Sequence, residues 1–146
     1  MALLFYFNGV LAQTMDAPTE RPKNNVYAEA TVGFFLHATL NYERRFFNGD
    51  KVSWYGRLGA GAGAGGVLIA TGGQGGLAAV TMLTGKKNRH FELNAGALIG
   101  YDRTYNSTFV IPILKAGYRY EKPTGGLLFR ANAGLFALGV GLVYSF

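Results

Sequence analysis

His37 and His90 are the only imidazoles, and the chain has no cysteine. Hydrolysis assisted by a histidine needs a nucleophile on one side of the ring and an orienting carboxylate on the other. For His37 the candidates are Ser107 and Asp102, and nothing in their spacing selects them. Two histidines without cysteine or a tight carboxylate cluster do not make a metal site. Gly61 to Gly66 matches the G-x-G-x-x-G pattern, yet a dinucleotide site needs a helix next and an acidic residue about 20 positions on. Neither follows, since no Asp or Glu occurs between Asp50 and Glu92. Thr84-Gly85-Lys86-Lys87 lacks both the leading glycine and the hydroxyl residue of a phosphate loop. These residues predict no catalytic group, no metal and no cofactor.

The ionisable residues that do form a pattern are Glu29, Glu43, Arg45, Arg57, Glu92, Lys115, Arg119, Glu121 and Arg130. Each falls on the parity opposite to a row of apolar residues. Such rows are Leu36, Ala38, Leu40, Tyr42; Trp54, Leu58, Ala60, Ala62; Phe91, Leu93, Ala95, Ala97, Ile99, Tyr101; Val110, Leu114, Ala116, Tyr118, Tyr120; and Leu127, Phe129, Ala131, Ala133, Leu135. A strand turns successive side chains to opposite faces, so alternation of this kind predicts strands. Arg44 alone falls on a greasy face, close to a strand end.

Eight strands are expected from residue 25 onward, at about 25–32, 35–46, 52–65, 76–84, 90–102, 109–121, 126–136 and 138–146. Asn48-Gly49-Asp50 is a strong turn signal. Gly72 to Gly76, Gly85 to Arg89, Arg103 to Thr108 and Lys122 to Gly125 are read as further connections. Most of these strands have the nine or more residues that a tilted strand needs to cross a bilayer.

A two-faced strand suits a soluble barrel as well as a membrane one, so other features must decide. The polar rows are full of glycine (Gly59, Gly61, Gly63, Gly96, Gly100, Gly117, Gly134, Gly139, Gly141), which fits a crowded interior better than a wet surface. Tyr42, Phe46, Trp54, Phe91, Tyr118, Tyr120 and Phe146 stand at corresponding strand ends, as an aromatic girdle at a lipid headgroup layer requires. Together they predict an all-β, eight-stranded antiparallel up-and-down transmembrane β-barrel over residues 25–146. With both chain termini on the periplasmic side, the belt and the inward charges gather at the periplasmic edge. Eight strands leave an interior just wide enough for side chains, and unpaired charges there are costly. The nine ionisable residues are therefore expected to interlock as a plug. Thr31, His37, Thr39, Gly61, Gly63, Gly100, Ile111, Gly134 and Gly139 line the other half; their small size permits either tight coiling or a shallow cavity.

Composition agrees with this reading. The 146 residues include 22 glycines and 14% aromatics, mean hydropathy is +0.14, and no run approaches a membrane-spanning helix. The net charge of +6 is spread along the chain, apart from Lys86, Lys87 and Arg89, so no basic face for nucleic acid is expected. Residues 1–12 read as a truncated secretory signal peptide with cleavage after Ala12, and residues 13–24 as a flexible lead-in.

The closing strand, Leu138 to Phe146, resembles the C-terminal strand of bacterial outer-membrane β-barrels, which usually ends on an aromatic. Asn41-Tyr42-Glu43-Arg44-Arg45-Phe46, Gly85 to Leu93, Gly117-Tyr118-Arg119-Tyr120 and Gly125 to Ala131 resemble segments of small outer-membrane β-barrel proteins of Bacteroidota. The architecture is similar to that of OmpA- and OmpX-type barrels. The resemblance implies the bacterial outer membrane, contact with its lipid and insertion by the barrel-assembly machinery. The expected role is structural or surface-interacting, as a monomer without catalysis. A lipid-A-modifying enzyme built on His37 with Asp102 or Ser107, and a narrow pore, are the alternatives.

Overall fold

The computed structural model describes residues 22–33, 36–64, 72–85, 88–135 and 137–146. The expected signal peptide and all but the end of the lead-in lie outside them. Eight strands follow one another: β1 (Asn24–Gly33), β2 (Leu36–Asn48), β3 (Val52–Ala64), β4 (Gly72–Thr84), β5 (Arg89–Asp102), β6 (Ser107–Tyr120), β7 (Gly126–Gly134) and β8 (Ala137–Ser145). Each pairs antiparallel with its chain neighbours, and β8 pairs with β1, closing the sheet into an up-and-down barrel.

Four boundaries differ from expectation by two residues or more, among them the end of β2, which runs on to Asn48. Gly72 to Gly76 is the first part of β4 and not a turn. The reason is close approach: a β-carbon on Gly75 would run into the backbone of Ile99 and Gly100 on β5. The polar loop after β5 shortens to 103–106, because Asp102 accepts the amides of Thr104 at 2.7 Å and Tyr105 at 3.2 Å, and Asn106 turns through a φ of 49°. β7 ends at Gly134, two residues early. A β-bulge between Arg45 and Phe47 puts Phe47 opposite Trp54, so Phe46 and Phe47 both face outward while Arg45 stays inside.

The register fixes the barrel's shape. Stepping around the sheet from Tyr120 leads through Phe129, Leu142, Ala28, Leu40, Ala60, Gly76 and Ile99 to Val110. The walk returns to β6 ten residues from where it began. For eight strands that stagger gives a tilt of about 40° and a backbone radius of about 8 Å. At this tilt a 13-residue strand rises about 33 Å along the axis, more than the ~25 Å apolar band of an outer-membrane barrel.

The molecule is inside out relative to a water-soluble domain. Leu127, Leu138 and Val110 are 70%, 68% and 64% exposed, whereas Glu43, Arg119 and Arg130 are 0% exposed. The residues of the apolar rows named from the sequence lie on the outer wall, except Leu135, which falls in the connection after β7 and borders the lumen. So small an interior leaves no room for a side chain at many inward positions. A β-carbon on Gly96 would meet the Cα and Cβ of Ala79 at 2.5 Å, whereas one on outward Gly76 would find nothing closer than 3.6 Å. Gly96→Ala is expected to lower stability by about 1–3 kcal/mol through overpacking and Gly76→Ala to leave it nearly unchanged. Urea titrations of the two variants in the same detergent check the contrast.

Candidate functional site

Every inward strand face contributes to one polar assembly in the half of the lumen nearest the chain termini. Arg119 on β6 is its hub. Its guanidinium donates from Nη1 and Nη2 to the two carboxylate oxygens of Glu43 at 2.8 and 3.1 Å, and from Nε to Glu92 at 2.7 Å. Glu121 lies 4.0 Å away. β6 and β2 stand on opposite sides of an eight-strand ring, so the Arg119–Glu43 fork spans the full lumen. Arg130 on β7 pairs with Glu92 on β5 and approaches Glu29 to 3.8 Å.

Glu29 on β1 holds the upper layer together. It accepts from Lys115 at 2.7 Å and from Arg57 at 3.4 Å. The sequence-predicted charges are all buried, and the structure brings eight of them into ion pairs. Arg45, the ninth, is buried opposite Tyr55 in the register and is partnered there as well.

Amides fill the gaps between the charges. Asn25 donates to Glu43 at 3.0 Å, Asn132 to Glu29 at 3.4 Å, and Asn41 accepts from Arg57 at 3.1 and 3.2 Å. The Tyr27 ring lies against the guanidinium groups of Arg57 and Arg130, at 5.1 and 4.4 Å, and Arg119 lies over Tyr55 at 5.6 Å. Neither the amides nor the inward tyrosines stood out in the sequence. They share the charged parity, and that shared parity was the available signal.

Above Glu29 the filling stops. A cavity of about 580 Å³ extends from Glu29, Arg57 and Lys115 to Asp102, Tyr105 and Ser107 at the opposite rim. Of the residues expected in this half, His37, Thr39, Gly61, Gly63, Ile111 and Gly134 line it and Thr31, Gly100 and Gly139 do not. Its character comes from Leu77, Leu98, Phe109 and Ile113 on β4, β5 and β6. The lining is therefore one-sided, with large apolar residues facing glycines. Gly139 and Gly141 leave room for Asn132 and Arg130 on adjacent β7, not for side chains from across the lumen.

His37, Asp102 and Ser107 all border this cavity. Asp102 and Ser107 are register partners, while His37 stands three strands from Asp102. The Asp102 carboxylate is taken up by its own turn. His90 is buried at the other end, its Nδ1 hydrogen-bonded to the Thr84 carbonyl at 3.0 Å. No group of three or more His, Cys, Asp or Glu side chains is placed to hold a metal ion among the described residues.

On the outer wall, Tyr42, Phe46, Trp54, Phe91, Tyr118, Tyr120 and Phe146 are all exposed. Phe47, Phe129 and Tyr144 join them at the same end, and Tyr101 and Tyr105 stand exposed at the other rim.

No family model matches this sequence, and no curated protein does. Solved structures do. A de novo designed transmembrane β-barrel superposes with a TM-score of 0.53 at 14% identity, covering 87% of this chain and 98% of that one. The N-terminal β-barrel domain of Pseudomonas aeruginosa OprF gives 0.51 at 14% identity, covering 86% and 98%. The fold is that of a transmembrane β-barrel. The identities are too low to carry over more than this architecture, so the interior must be read on its own residues.

Removing one partner of a buried pair leaves the other charge stranded, at a cost of about 3–5 kcal/mol. Arg119→Met strands Glu43 and Glu92 together and is expected to reach that range. Arg44→Met, on the exposed face, is expected to stay within about 0.5 kcal/mol. Equilibrium unfolding by tryptophan fluorescence of Trp54 measures both.

Proposed function

We propose that this protein is a monomeric barrel of the bacterial outer membrane with a structural or surface-interaction role, its lumen plugged at the periplasmic end. The observation that carries this reading is the Arg119–Glu43 pair across the full width of the lumen. Around it Arg130–Glu92 and Lys115–Glu29 bridge strands that are not neighbours. Such bonds cross-brace a small barrel and obstruct the path an ion would take. The exposed apolar wall supports lipid as its surroundings, because a water-soluble protein rarely exposes apolar patches of this extent. The likeness to the OprF barrel domain supports an envelope location.

In this arrangement the exposed aromatics near the termini form the periplasmic girdle, where amphipathic rings settle at headgroup depth. Outer-membrane lipid is the partner of the wall, and the barrel-assembly machinery inserts it. The charges on the inner wall serve stability and closure, and no nucleic-acid role or catalytic step is assigned to them.

The protein is expected to remain in the membrane fraction after high-salt washing and to migrate faster on gels unheated than boiled. Release by salt would overturn the membrane reading. In planar bilayers the wild type is expected to give no resolved conductance steps, and steps of uniform size would overturn the plug. The wall itself is tested by Leu58→Arg at the midpoint of β3, which is expected to cost about 2–4 kcal/mol in vesicles, whereas Thr108→Arg at the rim costs about 0–1. Equal effects at the two positions would count against a bilayer around the barrel.

A further inference from the structure

Half of the lumen is unfilled. Its volume of about 580 Å³ lies inside the ~300–1,000 Å³ range of small-molecule sites. Leu77, Leu98, Phe109, Ile111 and Ile113 give one continuous apolar wall on β4, β5 and β6. From Lys115 at the floor to Ser107 at the rim, β6 climbs eight residues. That is a depth of about 20 Å at the barrel's tilt, long enough for an extended chain of about a dozen carbons.

The floor is polar and its charge is unbalanced. Among the described residues the buried lumen charges are Arg45, Arg57, Lys115, Arg119 and Arg130 against Glu29, Glu43, Glu92 and Glu121, one positive charge in excess. Glu43, Glu92 and Glu121 cluster around Arg119 in the deeper layer. At the cavity floor Glu29 is shared between Lys115 and Arg57, with Arg130 behind them. Arg57 is 2% exposed and lines the cavity, yet its Nη1 has no hydrogen-bond partner. A buried cationic donor without an acceptor is costly. Nη1 has no accessible surface of its own, so an anion arriving from the cavity meets Lys115 first and gains Arg57 as that side chain turns towards it. Asp102 does not meet that need, since it stands at the rim and accepts the amides of its own turn.

We propose that this cavity binds a single-chain amphipathic monoanion, with a carboxylate head at Arg57 and Lys115 and an unbranched apolar body along the Leu77–Ile113 wall. The small residues opposite, Gly61, Gly63 and Gly134, leave the width for the chain. The site lies on the other side of the Glu29 layer from the Arg119 hub, so occupancy does not require the plug to open.

Native mass spectrometry of the barrel released from neutral-detergent micelles tests this, with dodecanoate and dodecyltrimethylammonium as the paired probes. One dodecanoate is expected to stay with each barrel, and the cationic analogue is not. Lys115→Met is expected to reduce dodecanoate retention at least tenfold. Leu98→Trp, which fills the cavity and leaves every charge in place, is expected to abolish it. Faster gel migration without heating verifies the fold of each variant, and Leu98→Trp carries the test if Lys115→Met does not fold. Equal retention of the two probes, undiminished retention by folded Leu98→Trp, or no retention by the folded wild type would each overturn the proposal.

Discussion

The structure depends on a closed ring whose half nearest the termini is too narrow to hold water around its charges. Eight strands with a stagger of ten residues enclose a lumen that side chains fill in that half, so a charge placed there has to find its partner in protein. Arg119 meets this constraint by reaching Glu43 across the full width and Glu92 on the adjacent strand. The same narrowness explains the inward glycines: where one strand presents Asn132 or Arg130, its neighbour presents Gly139 or Gly141. The outer wall follows as the complement of this interior. With polar side chains committed inward, alternate residues such as Leu58, Val110 and Leu138 face out.

The lumen divides into two chemically distinct halves. Nearest the termini, charges, amides and two tyrosines pack against one another, and the small apolar cluster of Tyr27, Leu128 and Val143 belongs to this layer. Beyond Glu29 the inward positions of β4, β5 and β6 bring in Leu77, Leu98, Phe109, Ile111 and Ile113, while β2 and β3 present His37, Thr39, Gly61 and Gly63. The boundary is the shared carboxylate of Glu29, which accepts from Lys115, Arg57 and Asn132. A barrel braced at one end can leave the other end hollow, because the hydrogen-bonded sheet and the ion pairs already hold its outline.

Much of this was legible along the chain. Alternation of period two assigns each side chain to a wall, and it did so for the charges and for the apolar rows alike. It was weakest where side chains vanish. In Gly72 to Gly76 there is little parity to read, so the start of β4 passes for a turn, while Leu77 falls inside the expected strand, to which no outward row was assigned. The bulge at Arg45 to Phe47 was equally hidden, because Phe46 and Phe47 give no sign of which is the extra residue.

The sequence by itself determined the class of fold, the two faces of each strand and which residues share the interior, because these depend on a local alternation and on the cost of exposing charge to lipid. The tertiary structure alone decided which charges meet and how far the filling extends. Those outcomes follow from the stagger between strands, which brings Arg119 level with Glu43 and leaves Leu77, Leu98 and Phe109 facing glycine across an open space. Stagger is set by the closure of the whole ring, and no single strand carries it.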